Sequence, residues 1–340
     1  MIIAVDAMGS DYAPQEIVLG AVQAAKEYHC EIVLVGDRDK LLAELERQGN
    51  WRQWGISIEH AGQVIEMHEH PSVAVRKKKD ASIVVATRLV KEGRCAAVVS
   101  AGSTGAAVAA ALFGLGRIKG VGRPAIATPI PNLNGTTILL DSGANIDSKP
   151  KHLLQNAIMG SIYAEYILGI CQPKVGLLNI GEEDNKGNEQ CIATLPLLKQ
   201  LKTIRFIGNV EGRDIPKGTV DVVVCDGFVG NVVLKFGEGL ASVILQLVKD
   251  SIRQSGWLAK LASLMILPAL KKLKQKLDYA EYGGAPLLGV NGGFIICHGS
   301  SRAKAIKNAI RVACDFSKNR VVEHISENMM KEGMVSNDGE

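Results

Sequence analysis

The stretch CAAVVSAGSTGAAVAAALFGLGRI, Cys95 to Ile118, joins an apolar run, a turn of small residues and an alanine-rich segment. The continuous run before the turn is typical of a strand that is covered on both faces. The residues after the turn favour a helix. A strand that leads directly into a helix predicts a βαβ unit, in which the sheet is mainly parallel.

The same alternation continues along the chain, which predicts a three-layer α/β/α fold. Predicted strands are MIIAVD, EIVLVG, ISIEHA, AAVVSAG, PAIATPI, TTILLD, KVGLLNI, IRFIGN, DVVVCDG and GFIICHG. Predicted helices span residues 14–28, 37–47, 80–92, 104–114, 149–169, 187–198, 229–253 and 301–316. No Pro/Ser-rich linker interrupts the pattern, so residues 1–330 are predicted to form one large domain of interwoven subdomains.

Two segments depart from this pattern. Residues 239–278 predict a helical hairpin that leaves the sheet and is broken at Pro268. Its apolar tip and lysine-rich return favour a dimer contact, a membrane contact or both. The last residues, 328–340, predict a frayed tail.

Composition excludes several classes of protein. The formal net charge of +4 is too small to indicate a nucleic-acid-binding protein. The seven cysteines are scattered without a CxxC pair, which favours free thiols in a reducing cytoplasm. The chain opens on a strand rather than on a secretion signal, so a cytoplasmic location is expected. His68 and His70 have no third ligand nearby, so no metal is predicted.

Polar residues follow six of the predicted strands. Because ligands bind at the carboxyl ends of strands in open α/β sheets, these ends predict one composite polar cleft. The candidate phosphate- or substrate-binding residues are Asp6, Gly9, Ser100, Gly102, Ser103, Thr104, Gly105, Asp141, Asn145, Gly227 and Ser300.

The turn from Gly102 to Gly105 predicts an anion site. Backbone N–H groups at a helix N-terminus, together with the helix dipole, bind anions such as phosphate. Ser103 or Thr104 is expected to cap that helix. Close packing of the helix on the sheet is the alternative explanation for these small residues.

Four further side chains are candidates for catalysis. Lys186 is the one cation among the carboxylates of the loop NIGEEDNKGNEQ and is predicted to neutralise phosphate. Asn231 is predicted to donate to an oxyanion, or else to cap its helix. Asp226 and His298 are candidates for orienting these groups or moving a proton.

Eight motifs, in order along the chain, resemble those of the bacterial phosphate acyltransferases of phospholipid synthesis, the PlsX family. They are VDAMGSDYAP, SAGSTGA, DSGAN, GEEDNKGNE, IGNVEGRDI, CDGFVGNVVLK, EYGGAPLLGVNG and HGSS. An Asn is usual in that family at Ser103, a Val at Ser142 and a Thr at Val229. The resemblance spans nearly the whole chain.

This resemblance implies a reaction in which fatty acyl–acyl carrier protein and inorganic phosphate give acyl phosphate and free carrier. It implies one mixed sheet between helical layers, similar to isocitrate and isopropylmalate dehydrogenases and to phosphotransacetylases. A homodimer without a cofactor is expected, peripherally bound to the cytoplasmic face of the membrane. A membrane-embedded glycerol-3-phosphate acyltransferase would take the product.

The hairpin supplies the predicted contacts with the carrier protein or the membrane. These residues are Trp257, Leu261, Met265, Lys271, Lys272 and Lys274. Arg302 and Lys304 are further candidates for steering the acidic carrier.

Three alternatives remain open from the sequence. A nicotinamide-dependent dehydrogenase of the same fold would need a cluster of metal-binding Asp residues. A membrane adaptor without enzyme activity would use the hairpin alone. A short-chain enzyme would transfer acetyl groups from coenzyme A to phosphate.

Overall fold

The computed structural model describes residues 1–254, 268–269, 271–272, 275–276 and 278–334. Within these ranges eleven strands form one sheet. They are β1 (Ile2–Asp6), β2 (Glu31–Gly36), β3 (Ile56–His60), β4 (Ala97–Ser100), β5 (Ala125–Pro131), β6 (Thr136–Leu140), β7 (Lys174–Asn179), β8 (Arg205–Glu211), β9 (Val222–Val224), β10 (Ala285–Leu288) and β11 (Gly293–Ile296).

Helices connect the strands and cover both faces of the sheet. They are α1 (Gln15–Tyr28), α2 (Arg38–Arg47), α3 (Pro71–Lys77), α4 (Ser82–Lys91), α5 (Thr104–Gly114), α6 (Pro150–Leu168), α7 (Glu189–Gln200), α8 (Asp214–Lys217), α9 (Gly227–Gln254), α10 (Tyr279–Tyr282), α11 (Ala303–Lys318) and α12 (Val321–Lys331).

The sheet consists of two parallel groups that run in opposite directions. The strand order is β3-β2-β1-β4-β11-β10-β5-β6-β9-β7-β8. The first five strands are mutually parallel, and so are the last four. Between them, β10 pairs antiparallel with β11 and β5, and β5 pairs antiparallel with β6. The prediction of a mixed, mainly parallel sheet is therefore confirmed.

Alternate residues of each strand enter different cores, because successive side chains point to opposite faces. Ile3 and Val5 pack with α1, α2 and α11, whereas Ala4 packs with α3, α4 and α5. In the second half, α6, α7 and α12 cover one face, and α8 with the start of α9 covers the other. The strands are buried on both sides, which explains their continuous apolar runs.

The eight predicted helices are present, with each end within two residues of its expected position. The sequence did not predict α3, α8, α10, α12 or strand β10. Residues 328–331, expected to begin a frayed tail, belong to α12, where Met329 is fully buried. Residues 335–340 lie outside the described residues.

Helix α9 carries a long apolar face that the described residues leave exposed. It includes Phe228, Val232, Phe236, Leu240, Val243, Ile244 and Leu247. By length and composition α9 qualifies as a membrane-spanning helix, with a mean hydropathy of 1.5. Of the predicted hairpin contacts, Lys271 and Lys272 are helical and exposed. Trp257, Leu261, Met265 and Lys274 lie outside the described residues.

Candidate active site

A cleft of about 340 Å³ opens where the two halves of the sheet meet. Strand β5 pairs with β10 through its first two residues and with β6 through the remaining five. This stagger brings the carboxyl ends of β4, β11 and β6 towards one another, although β6 runs opposite to the other two. The prediction that all these ends share one edge of a parallel sheet is wrong, yet the ends of these three strands converge.

Both halves contribute polar side chains to the cleft. They are Thr104 and His298 from the first half, Ser142, Asn231, Lys235 and Glu238 from the second, and Thr128 and Tyr282 from the strands and turns between them. Ile126, Pro129, Leu234 and Ile296 form an apolar part of the wall. The cleft therefore offers hydrogen-bond donors beside an apolar surface.

A buried hydrogen-bonded chain shapes the turn before α5. Ser100 Oγ donates to Asp6 Oδ2 over 2.7 Å and accepts the Gly102 N–H over 3.2 Å. Gly9 fits against both groups, since a Cβ there would lie 2.7 Å from Asp6 Oδ2 and 3.0 Å from Gly102 Cα. Burial raises the pKa of Asp6, an effect that the Ser100 hydroxyl opposes. These groups support the turn, and the Gly102 N–H is already bonded.

The N-terminus of α5 presents the donors that remain. Ser103 caps the helix, because its Oγ accepts the Ala106 N–H. Ala107 N–H makes the first backbone bond of the helix, to the Ser103 carbonyl. The N–H groups of Thr104 and Gly105 therefore lie at the exposed helix end without an intrahelical acceptor. They suit an anion as the sequence predicted, and Ser103 acts through its hydroxyl.

The loop Asp141–Asn145 is held rigidly by the Asp141 carboxylate. Asp141 Oδ1 accepts the N–H groups of Ile126, Gly143 and Ala144, and Oδ2 accepts two N–H groups of Asn145. Burial raises the pKa of Asp141, and these five donors counteract that rise. Both side chains are therefore occupied within the protein and shape the wall of the cleft. Ser142 lines the cleft and shares a 2.5 Å hydrogen bond with Thr128.

The first turn of α9 packs directly on this loop. Asp226 caps the helix, with Oδ1 accepting the N–H groups of Phe228 and Val229. A Cβ at Gly227 would lie 2.4 Å from the Asn145 carbonyl oxygen, so only glycine fits there. Asp226 thus fills the capping role that the sequence considered for Asn231.

Asn231 therefore has its side chain available to the cleft. Its amide lies against Gly143, where a Cβ would be 3.6 Å from Asn231 Nδ2. Lys235 and Glu238, one and two turns further along α9, line the same cleft. The sequence analysis missed both, although the spacing i, i+4, i+7 places them with Asn231 on one helical face.

His298 and Ser300 form a local pair at the end of β11. His298 Nδ1 lies 2.7 Å from Ser300 Oγ and accepts the Ser300 N–H over 3.2 Å. Because a backbone N–H only donates, the proton of the neutral ring resides on Nε2. Ser300 therefore orients the ring, and Nε2 carries the proton when the ring is neutral.

Lys186 lies on an exposed loop and does not line the cleft. Asn179 Nδ2 donates to the Lys186 carbonyl over 3.0 Å, and Asn209 Nδ2 donates to the Glu183 carbonyl over 2.9 Å. These two amides fix the loop beside β7. Lys186 is not among the residues that line this cleft, and its role in phosphate binding stays a prediction.

Comparison with known proteins gives a consistent match. A family described as "Fatty acid synthesis protein" matches residues 1–324. The phosphate acyltransferase of Pelotomaculum thermopropionicum is 61% identical over 325 residues, covering 96% of this chain and 94% of its own length. That of Geobacter sulfurreducens is 52% identical, covering 98% of this chain and 95% of its own.

Solved structures support the fold. A phosphotransacetylase from Streptococcus pyogenes superposes with a TM-score of 0.63 at 16% identity, covering 94% of each chain. A branched-chain phosphotransacylase from Enterococcus faecalis has a TM-score of 0.58 at 14% identity, covering 93% of this chain and 99% of its own. The predicted likeness to the phosphotransacetylase fold is confirmed.

Proposed function

Because the chain belongs to the phosphate acyltransferase family, we propose that it transfers a fatty acyl group from acyl carrier protein to inorganic phosphate. The observation that carries this proposal is the cleft between the two halves of the sheet. It combines an anion-binding helix end, an ammonium group and two neutral donors beside an apolar wall.

Phosphate is bound at the N-terminus of α5. The N–H groups of Thr104 and Gly105 donate to its oxygens, and the helix dipole favours its negative charge. The ammonium group of Lys235, which lines the same cleft, offsets the remaining charge. In this proposal Lys235 neutralises the charge of phosphate, the role that was predicted from the sequence for Lys186.

The chemical step is a direct attack of phosphate on the thioester. A phosphate oxygen forms a bond to the carbonyl carbon, and the carbonyl oxygen becomes an oxyanion in the tetrahedral intermediate. Asn231 Nδ2 and His298 Nε2–H donate to this oxyanion. The C–S bond then breaks, its electron pair leaves with sulfur, and the products are acyl phosphate and the carrier thiolate.

The protein's main contribution is therefore to position and neutralise charge. A thiol with a pKa of about 8.5 leaves readily as the thiolate, which takes up a proton from water. No covalent intermediate with the protein is required. The rigid supports of the cleft, Asp6–Ser100 under one wall and Asp141 under the other, hold the donors in place before the substrate binds.

The reaction is tested with a long-chain acyl carrier protein and the purified chain. We expect release of carrier thiol that depends on phosphate, and a product that hydroxylamine converts to the fatty hydroxamate. Thiol release that is independent of phosphate would indicate a thioesterase and contradict the proposal. Equal rates with acetyl-coenzyme A would instead support the short-chain alternative.

The exposed apolar face of α9 bears on how the protein assembles. We infer a homodimer that buries the exposed face of α9, because eight large apolar side chains, the seven named above and Val248, are exposed on the helix and require a covering partner. We place the enzyme in the cytoplasm at the membrane, where a glycerol-3-phosphate acyltransferase would take the acyl phosphate into phosphatidic acid. Phe236→Lys should convert the dimer to monomer in sedimentation analysis, and an unchanged mass would refute this interface.

A further inference from the structure

Five exposed cations from two distant segments meet beside the cleft. They are Arg117, Lys119 and Arg123, which follow α5, and Lys149 and Lys151 at the start of α6. We call them the Arg123 surface. The fold joins the segments: Gln155, which is fully buried in α6, accepts the Gly122 N–H over 2.9 Å and donates to the Gly120 carbonyl over 2.6 Å.

The positive charge of this surface is not offset by ion pairs in the part of the chain that the structure describes. Among the described residues no carboxylate forms an ion pair with any of the five cations. Asp147, on the same loop as Lys149, is the nearest acid in sequence. Such a concentration of one charge favours an acidic ligand.

His152 lies within the Arg123 surface. Its ring packs under Gly122, and its Nδ1 accepts the Lys149 N–H over 3.1 Å. Partial burial and the surrounding cations lower the pKa of His152. The cations that contribute are Arg123, Lys149, Lys151 and Arg117.

Two of the cations that the sequence offered for steering the carrier, Arg302 and Lys304, pair with acidic residues of the protein. Arg302 lies 3.9 Å from Glu16 and stacks on Tyr12. Lys304 forms ion pairs of 2.9 Å with Asp278 and 2.7 Å with Glu281. Their charges are largely offset, so they attract an acidic partner less than the Arg123 surface does.

The Arg123 surface also adjoins the cleft. Arg123 precedes Ile126 of the cleft wall by three residues, so their Cα atoms are at most about 11 Å apart. The loop that leads from Gly143 of the cleft to Lys149 carries Ile146, whose side chain is 69% exposed. A basic rim around an exposed apolar side chain is typical of a surface that binds an acidic protein.

We propose that the Arg123 surface is the docking site for the acidic acyl carrier protein. This inference rests on the proposed function, which supplies the carrier as substrate. The carrier's acidic face lies on the five cations, Ile146 contacts its apolar residues, and its flexible prosthetic arm reaches past Ile126 with the thioester. The surface thus selects the carrier, whereas the cleft performs the chemistry.

The test compares two charge-reversed double variants. Arg123→Glu/Lys151→Glu alters the proposed surface. Lys91→Glu/Lys202→Glu makes the same change in net charge at two exposed sites, the last residue of α4 and the second residue after α7. From these sites the chain leads to the amino ends of β4 and β8. Kinetics are measured at low ionic strength with acyl carrier protein and with acyl-pantetheine, which has the thioester without the protein.

We expect the surface variant to raise KM for acyl carrier protein about tenfold or more. Its kcat, its KM for phosphate and its KM for acyl-pantetheine should stay within about twofold of the wild type. Added salt should raise the wild-type KM for the carrier and leave that of the variant nearly constant. The control variant should behave as the wild type.

Three results would overturn the proposal: an unchanged KM for the carrier, an equal rise in the control variant, or an equal rise with acyl-pantetheine. Failure of the proposed function looks different, since the wild type would then form no acyl phosphate from any thioester. In that case calorimetric titration of the three proteins with acyl carrier protein decides the docking site. Equal affinities of the wild type and the surface variant would exclude it.

Discussion

Replacing Gly230 by alanine tests whether close packing holds α9 in place. Alanine favours the helix more than glycine does, but its Cβ would push the helix away from the Asp141 loop. A Cβ at Gly230 would lie 1.9 Å from the carbonyl oxygen of Asp141 and 3.0 Å from Cys225 Sγ. Ordinary contact begins near 3.4 Å, so the helix and the loop must move apart by about 1.5 Å. The Asp141 carbonyl is part of the backbone, so it cannot rotate away from the new Cβ as the end of a side chain could.

The expected cost follows from this displacement. Overpacking of a tight contact costs about 1–3 kcal/mol, which exceeds the gain of about 1 kcal/mol from replacing glycine in a helix. Asn231 is the next residue, so its amide moves with the helix. A shift of about 1 Å in a catalytic group costs roughly 100-fold in rate. Gly230→Ala should therefore be both less stable and nearly inactive.

Gly237→Ala is the matched control, because it lies seven residues later on the same face of α9, and among the described residues nothing outside its own helix backbone lies within 4 Å of its Cβ position. It should gain up to about 1 kcal/mol and keep its activity. Urea unfolding of both variants should show stabilities about 1–3 kcal/mol apart, because the helical gain is common to both and only Gly230→Ala is overpacked. If Gly230→Ala matches Gly237→Ala in stability and rate, the close packing of α9 on the Asp141 loop is not what positions Asn231.

Three further substitutions test the site. Asn231→Ala should lower kcat about 100- to 1000-fold while circular dichroism shows a folded protein, and a loss below tenfold would exclude an oxyanion contact. Lys235→Ala should raise KM for phosphate far more than Lys186→Ala or Lys249→Ala, the latter being two heptads along α9; a larger effect of Lys186→Ala would restore the sequence-based assignment. Burial raises the pKa of Asp6, so the folded protein loses stability as pH rises from the unfolded pKa through the folded one. The free energy of unfolding of Asp6→Asn should therefore rise relative to that of the wild type between pH 4 and pH 7, as measured by urea unfolding. A difference between the two proteins that does not change with pH would contradict this prediction.

The strands and most helices were predictable because both faces of the sheet are covered. Val98 and Val99 enter different cores, for example, so the strand reads as one apolar run. Strand β10 escaped notice because its four residues lie between glycines, in YGGAPLLGVNGG.

The sequence contains two short turns that indicate antiparallel strands, although the prediction did not use them. Two short turns, residues 132–135 and 289–292, join β5 to β6 and β10 to β11. Loops of this length connect antiparallel strands, and Gly135 and Gly289 adopt the positive φ angles that such turns use. The turn NLNG therefore indicates a hairpin where the βαβ pattern favoured a parallel crossover.

The candidate site was predictable where it is local in sequence. His298 comes two residues after the end of β11 and Thr104 four residues after the end of β4, so their place at strand ends was evident. Lys186 follows a strand as well, but β7 lies two strands from β6, and Lys186 is not among the residues that line the cleft. The Arg123 surface combines segments more than twenty residues apart, and their meeting depends on the buried amide of Gln155.

Strand β10 makes the shortest pairings among the described strands of the sheet. It holds each neighbour by only two residue pairs, to β11 on one side and to β5 on the other, between a block of five parallel strands and a block of four. Rotation of the blocks about this narrow joint would admit a bulky thioester and then shut water out. Since water destroys an acyl phosphate, the lifetime of the product in solution would depend on when that rotation occurs relative to release.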